Sequence, residues 1–457
     1  MTVQLEDLDH CLHGIIPGVI ATCDREGVPN VSYLSQVHLI DAKHVALSCQ
    51  FFNKTRQNLD VNPLATLELY DPVTFEAYRV RLRFIRSETS GPLFDTVAAR
   101  IIAIASHVGM AGIFKLRSAD VFEVLSIEER VGFVALPPTG KLTAHHFYDG
   151  PLTELRGLQI VSERVNRACD LETLLSSALA ALDEVFGFNH GMILMPADEA
   201  GQKLITIASH GYGESGIGAE VKLGDGLIGV VAQTRRLLRI SAVESAMRYG
   251  RAIRAEVQAS ANAAQLAPEI PLPGLADAQS QMAIPLIVQD RLIGVLALEC
   301  NDPLTFAQWH EAFLQVLANQ IASGIDRMSD DEEDDEPSAP DPDHTAASRC
   351  HNFLYYRNDD CVFVDGEYLI RNVPGKILWK LLRAYETDGR TEFSNRELRL
   401  DPSLGLPQFK DNLESRLILL RKRLEQKCPD VKLVPTKRGR FALCVTSKVE
   451  LAERETA

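Results

Sequence analysis

The chain has 457 residues, 46% apolar and 24% charged, with a formal net charge of −15, and a chain of that length is expected to divide into two to four domains, each with its own core. No apolar run approaches the ~20 residues that a membrane span needs, and nine scattered cysteines, never spaced Cys-x-x-Cys, argue against a disulfide framework or a structural zinc. The acidic average hides an asymmetry: residues 329–348 carry nine acidic and no basic side chains, whereas 349–457 carry 21 basic against 16 acidic, so the basic C-terminal part alone suits a polyanion.

The first residues, MTVQLEDLDHCLHG, lack the basic and apolar regions of a signal peptide, and a cytoplasmic location is expected. The cluster His10-Cys11-x-His13 reads as packing and surface rather than a metal or haem site. Residues 14–84 then read as short strands: GVIATC, VSYLSQVHLI, VALSCQ, ATLELY and AYRVRLRFI, the last with the plainest period-2 alternation. Strands this short and close together predict a barrel.

Within that region, FFNKTRQNLDVNP (51–63) places Asn53, Lys54, Thr55, Arg56 and Asn58 where a turn runs into a helix. A lysine charge, a hydroxyl and helix N-terminal amides together suit a phosphate. With PNVSYLSQVHLI upstream and GPLFD and MAGIFKLRSADVFEV downstream, this segment resembles the pyridoxamine 5′-phosphate oxidase-like split-barrel family over roughly residues 10–130. The resemblance implies a six-stranded barrel, usually a homodimer with FMN at its interface. It assigns the phosphate to Lys54, Thr55 and Asn58, with Asn53 beside them and Ser35 and Gln36 near the flavin ring. The Arg-x-His segment of true pyridoxamine phosphate oxidases has no counterpart, so that oxidation is not expected. Two readings stay open: a barrel holding FMN or a similar phosphorylated ligand, and a barrel without cofactor.

A Pro- and Gly-rich stretch, 136–153, separates the barrel (1–135) from a second domain, 154–328. Residues 154–187 and 306–328 predict amphipathic helices around a set of strands. The runs HGYGESGIGAEVKLGDGLIGVVAQTRRLLRI (210–240) and MAIPLIVQDRLIGVLALE (282–299) resemble the GAF family, which implies a small-molecule sensor of unassigned ligand. The long segment 246–281 reads either as a pocket lid or as a surface insertion. The apolar stripe of the last helix, Phe306, Trp309, Phe313, Leu317, Ile321 and Ile325, could pair two chains or pack on its own sheet; the dimer is favoured because the barrel would also bring two copies together.

The acidic run 329–348 predicts a disordered linker. Beyond it, 349–457 gives a hairpin around Asp365-Gly366, a helix over 375–386, a second over 394–400 opened by Ser394 with Glu397 three residues on, a third over 406–427, and two strands turning at Lys437-Arg438-Gly439. Cys428-Pro429 marks the end of the third helix. Over 353–446 this resembles the winged-helix output domain of OmpR-like response regulators, with NLESRLILLRKRLEQ as recognition helix and TKRGRFAL as wing. The resemblance implies contact with double-stranded DNA through Arg416, Arg421, Lys422, Arg423, Lys437, Arg438 and Arg440. Ile418 and Leu419 depart from it, being apolar where that helix is usually polar; they would either contact thymine methyls or bury against a partner.

The expected architecture is therefore multidomain α+β: a split β-barrel, a GAF α+β sandwich and a winged helix-turn-helix. The expected function is ligand- or redox-responsive transcriptional regulation by a homodimer without a catalytic role. The alternatives are an FMN-dependent oxidoreductase regulated by its other domains and a scaffold that binds protein, not DNA, through the wing and Ile418 and Leu419.

Overall fold

The computed structural model describes residues 3–34, 37–49, 54–113, 115–130, 151–197, 201–212, 216–258, 266–270, 274–306, 308–330, 350–404, 413–437 and 439–454, with backbone alone at 151–154, 308–309 and 329–330. No described helix is long and apolar enough to cross a membrane.

A 3-10 turn (Leu5–Leu8) and α1 (Asp9–Leu12) precede β1 (Gly18–Cys23), β2 (Pro29–Leu34), β3 (Val37–Asp41) and β4 (His44–Cys49). Next come α2 (Lys54–Leu59), β5 (Leu64–Tyr70), β6 (Ala77–Glu88), α3 (Pro92–His107) and β7 (Ser118–Arg130). The strands form one sheet of seven, β2-β1-β5-β6-β7-β4-β3, with antiparallel pairings throughout. Alternation puts Ile20, Leu67, Leu69, Val80, Leu82 and Phe122 into its core. The expected single strand over VSYLSQVHLI is two, β2 and β3, at opposite edges of the sheet, and this division gives seven strands where six were expected.

The second unit is α4 (Pro151–Arg167), α5 (Leu171–Phe186), β8 (His190–Pro196), β9 (Lys203–His210), β10 (Glu220–Lys222), α6 (Gly226–Thr234), β11 (Leu238–Ser241), α7 (Val243–Gln258), β12 (Ser280–Val288), β13 (Arg291–Cys300) and α8 (Gln308–Asp330). Its antiparallel sheet runs β10-β9-β8-β13-β12-β11. Asp170 caps α5 by accepting the Thr173 N–H at 2.8 Å, and Gly187, at φ 67°, ends it. On one sheet face lie α4, α5 and α8, and Leu314, Leu317, Ile321 and Ile325 are buried against that sheet within the same chain. The stripe expected to favour pairing of two chains is thus consumed by its own core.

The other sheet face carries α6 and α7 and, unexpectedly, α3 from the barrel. Val97, Ile101, Ala103, Ile104 and Ala105 share one apolar cluster with Leu227, Val230 and Val231 of α6 and with Leu194, Val295 and Ala297 of the sheet. The end of α3 also caps α6: Ser106 Oγ accepts the Gly226 N–H at 2.7 Å and His107 Nε2 accepts that of Leu227 at 3.3 Å. Residues 266–270 of the segment 246–281 belong to this seam, because Ile270 N donates to the His107 carbonyl at 2.9 Å and Ala267 N to that of Gly109 at 3.0 Å.

The third unit is β14 (Cys350–Tyr356), β15 (Cys361–Val364), β16 (Glu367–Ile370), α9 (Asn372–Asp388), β17 (Glu392–Ser394), α10 (Asn395–Arg399), α11 (Leu413–Lys427), β18 (Val431–Lys437), β19 (Arg440–Val445) and β20 (Lys448–Arg454). Ser394 caps α10 through the Glu397 N–H at 3.2 Å, as expected. Two small sheets flank the helices, β16-β15-β14-β20 and β17-β19-β18. The first and last strands of the unit, β14 and β20, pair in parallel and so close it end to end.

Candidate functional site

In the barrel, α2 delivers its side chains to a cavity of about 90 Å³ between β1, β2, β4 and β7, lined by Ser32, Ser48, Cys49, Thr55, Arg56 and Asp120 among others. Thr55 Oγ1 accepts the Asn30 amide at 2.9 Å and shares a hydrogen bond with the Ser32 hydroxyl at 2.9 Å. Lys54 does not line the cavity; its side chain is exposed and ion-paired to Asp24 at 3.1 Å. Arg56 is held by the buried carboxylate of Asp120 at 3.0 Å and lies over the Phe84 ring at 4.7 Å. Burial, with Asp120 adding to it, pushes the Cys49 thiol up, so this sulfur is a neutral wall atom rather than a thiolate nucleophile.

Of the expected phosphate groups, Thr55 lines the cavity, while Lys54 is turned to Asp24 outside its lining. Asn58 does neither: it is buried, and its amide donates to Thr22 Oγ1 at 3.1 Å, fastening α2 to β1. Ser35, Gln36 and Asn53 lie outside the described residues. Sequence reasoning missed Asn30, Ser32, Asp120 and Tyr249, the last reaching the cavity from α7 across the seam. The donor set of Thr55, Ser32, Asn30 and Arg56 fits a phosphate. A cavity of this size has room for about three waters, far below the ~300 Å³ or more of an ordinary cofactor pocket; its volume suits a phosphate-sized group and is too small for a flavin ring.

On the second unit, the sheet face under α3 and α6 carries a buried carboxylate, Glu299. It accepts from the Tyr212 hydroxyl at 3.0 Å, the Leu275 N–H at 2.7 Å and the Gln281 amide at 2.7 Å. Burial raises its pKa while these donors lower it. The cluster satisfies itself, which makes it a structural knot before it is a ligand site.

The third unit departs most from expectation. The helix expected to meet a duplex, α11, is docked on the second unit instead. Arg421 and Lys422 both reach Glu172 of α5, at 2.8 Å and 3.1 Å. Arg416 is 7% exposed, and with Leu419 and Arg423 it faces Ile205, Ile207 and Gly218. Gly218 permits the approach, since a Cβ there would stand 2.7 Å from the Arg423 guanidinium. A second ion pair, Arg371 to Glu220 at 2.8 Å, lies alongside. Ile418 and Leu419, the apolar departures noted in the sequence, are buried, so they serve packing and are not placed to meet thymine methyls. In contrast, Lys437 and Arg440 at the β18–β19 turn are exposed, and Arg438 lies outside the described residues. Nothing in the sequence marks Glu172 or Glu220 as partners, because each is one of many acidic residues on an acidic domain.

Residues 5–124 match the family model described as pyridoxamine 5′-phosphate oxidase, and residues 170–325 match that of the GAF domain. The chain thus carries a barrel of the first type and a GAF domain. Among solved structures it is similar to the GAF domain of the phosphoenolpyruvate-protein phosphotransferase from Acinetobacter, with 19% identity, 41% of this chain and 100% of that chain covered, and a TM-score of 0.32. It is similar to an FMN-binding protein from Syntrophomonas wolfei at 19% identity, over 28% of this chain and 88% of that one, with a TM-score of 0.23. It is also similar to the free methionine-R-sulfoxide reductase of Neisseria meningitidis at 18% identity, over 39% and 93%, with a TM-score of 0.30. No curated protein matches the chain.

Proposed function

We propose that the chain is a ligand-responsive DNA-binding regulator whose DNA-binding helix is withheld in this structure. The observation that carries this reading is the docking of α11: the basic face expected to meet phosphates is held by a carboxylate of the GAF domain, Glu172. A sensor domain that occupies those cations competes with nucleic acid for the same charge. The order of elements, a strand meander, three helices and a hairpin with exposed Lys437 and Arg440, supports a winged helix of the OmpR type. In the barrel, Lys54, Thr55 and Arg56 would hold the phosphate of FMN or of a related ligand. A flavin bound by its phosphate, with its ring outside the barrel cavity, would supply redox sensitivity. Two copies would pair through the barrel, where β2 exposes Val31 and Tyr33 at the sheet edge.

The test uses the full chain and fluorescence anisotropy on random duplexes across a salt series. Glu172→Gln removes two half-exposed ion pairs, each worth up to about 1 kcal/mol, and is expected to tighten DNA binding about three- to tenfold. If neither wild type nor Glu172→Gln shows salt-dependent binding at low salt, the regulator reading fails. The FMN-dependent oxidoreductase then becomes the better one, tested by flavin turnover with NAD(P)H.

A further inference from the structure

A second polar cavity, about 180 Å³, opens where the barrel meets the GAF domain, between α1, β3 and α3 on one side and β11 and α8 on the other; His13, His38, Arg100, Arg239 and Glu311 line it. Several of these groups are already committed. Arg239 donates to His13 Nε2 at 2.9 Å and to the Phe306 carbonyl at 2.7 Å, and it pairs with Glu311 at 2.8 Å. The His13 ring, buried and kept neutral by that burial, shares its other nitrogen with Ser241 Oγ at 3.0 Å. Asp9 faces the same imidazole at 3.2 Å.

Arg100 and His38 are not committed. Among the described residues Arg100 makes one hydrogen bond, a long one of 3.3 Å to the Arg239 carbonyl, and has no carboxylate at ion-pair distance. His38 makes no hydrogen bond among them. A guanidinium keeps its proton inside proteins, and Arg100, half-buried, carries its charge without a partner, which is unfavourable. The cost is heightened here: burial and the neighbouring Arg239 bring Arg100 down to about 9. Burial, then the same two arginines, bring His38 down to about 3, leaving a neutral ring with one N–H to give. Two uncommitted donors therefore face a wet-sized space, with room for about six waters, while both nearby acids are occupied.

We propose that this seam cavity binds a small oxyanion, a carboxylate or a phosphate, whose oxygens accept from the free N–H groups of Arg100 and from the His38 ring. The walls supply reasons for the choice. Hydrogen bonds from a guanidinium to an oxyanion are among the stronger ones in proteins and favour planar, paired oxygens. The site also spans two domains, so the anion joins α3 of the barrel to Arg239, which in turn holds Phe306 and Glu311 at the root of α8. Binding here does not depend on whether the third unit meets DNA.

Titration calorimetry of the full chain with inorganic phosphate and with succinate tests the proposal. At least one probe is expected to bind saturably at a site set apart from any phosphate held in the barrel by its dependence on Arg100. Arg100→Met should weaken that binding at least tenfold while leaving the anion-free melting temperature equal or higher, because it removes an unpaired, half-buried charge; an arginine with a merely structural role would lower it. Lys54→Ala, which alters the barrel instead, should leave the binding unchanged. Should Arg100→Met fail to fold, His38→Leu deletes the other donor without a change of charge and should weaken binding severalfold. No saturable binding of either probe, binding that survives Arg100→Met and His38→Leu, or binding abolished by Lys54→Ala would each overturn the proposal.

Discussion

At the scale of single residues, His107 shows how one imidazole can lock two domains. Its Nδ1 faces the Ile270 carbonyl at 3.0 Å and its Nε2 accepts the Leu227 N–H at 3.3 Å, a pattern that requires the neutral ring. Burial keeps its pKa below the ordinary value. Below about 6.5 the unfolded imidazole takes a proton that the folded one refuses, so the unfolded state binds more protons and stability falls as pH drops through that window. Between about pH 7.5 and about pH 5.5 the wild-type melting temperature should fall further than that of His107→Gln, whose amide donates and accepts without titrating. Equal falls in thermal melts would remove this role. In the barrel, Lys54→Ala should weaken FMN binding by about 1.5–3 kcal/mol, the range for a hydrogen bond to a charged group, measured by flavin fluorescence. Lys54 and Thr55 are legible in the sequence because their chemistry is local to one turn. Tyr249, Arg100 and His38 are not, since each acquires meaning from a neighbour far along the chain.

At the scale of elements, periodicity identifies the helices and strands but not always what they pack against. The α8 stripe is plainly apolar in the sequence and still does not name its partner, because a 3.6-residue pattern does not say which surface it meets. Local chemistry does better: the Ser394 cap and the Asp365-Gly366 turn stand where their side chains dictate. The junction after α3 cannot be read this way. Gly109 sits at φ 65°, and a Cβ there would lie 2.1 Å from the Ala267 carbonyl oxygen. Gly109→Ala must both strain the backbone and push the 266–268 stretch of chain off its hydrogen bond, so a destabilisation above about 2 kcal/mol is expected in denaturant unfolding. A change under about 0.5 kcal/mol would mean that the segment yields freely there.

At the scale of the whole molecule, the acidic GAF domain and the basic third unit attract one another, and the same charge asymmetry that suits a polyanion also explains why α11 is occupied. Neutralising Lys437 and Arg440 together should flatten the salt dependence of DNA binding by about one log unit for each phosphate that is no longer neutralised, equally on all duplex sequences; an unchanged slope would place the hairpin away from the duplex. The packing of α3 has a different kind of consequence. That helix belongs to the barrel by chain order and to the GAF sheet by the core it joins, so the family boundaries at 124 and 170 are not thermodynamic boundaries. Heat should dismantle the two domains in a single calorimetric transition, its van't Hoff enthalpy matching the measured enthalpy of both together. Excising the barrel would strip the GAF sheet of part of its apolar cover, leaving a fragment prone to aggregate rather than an independent sensor.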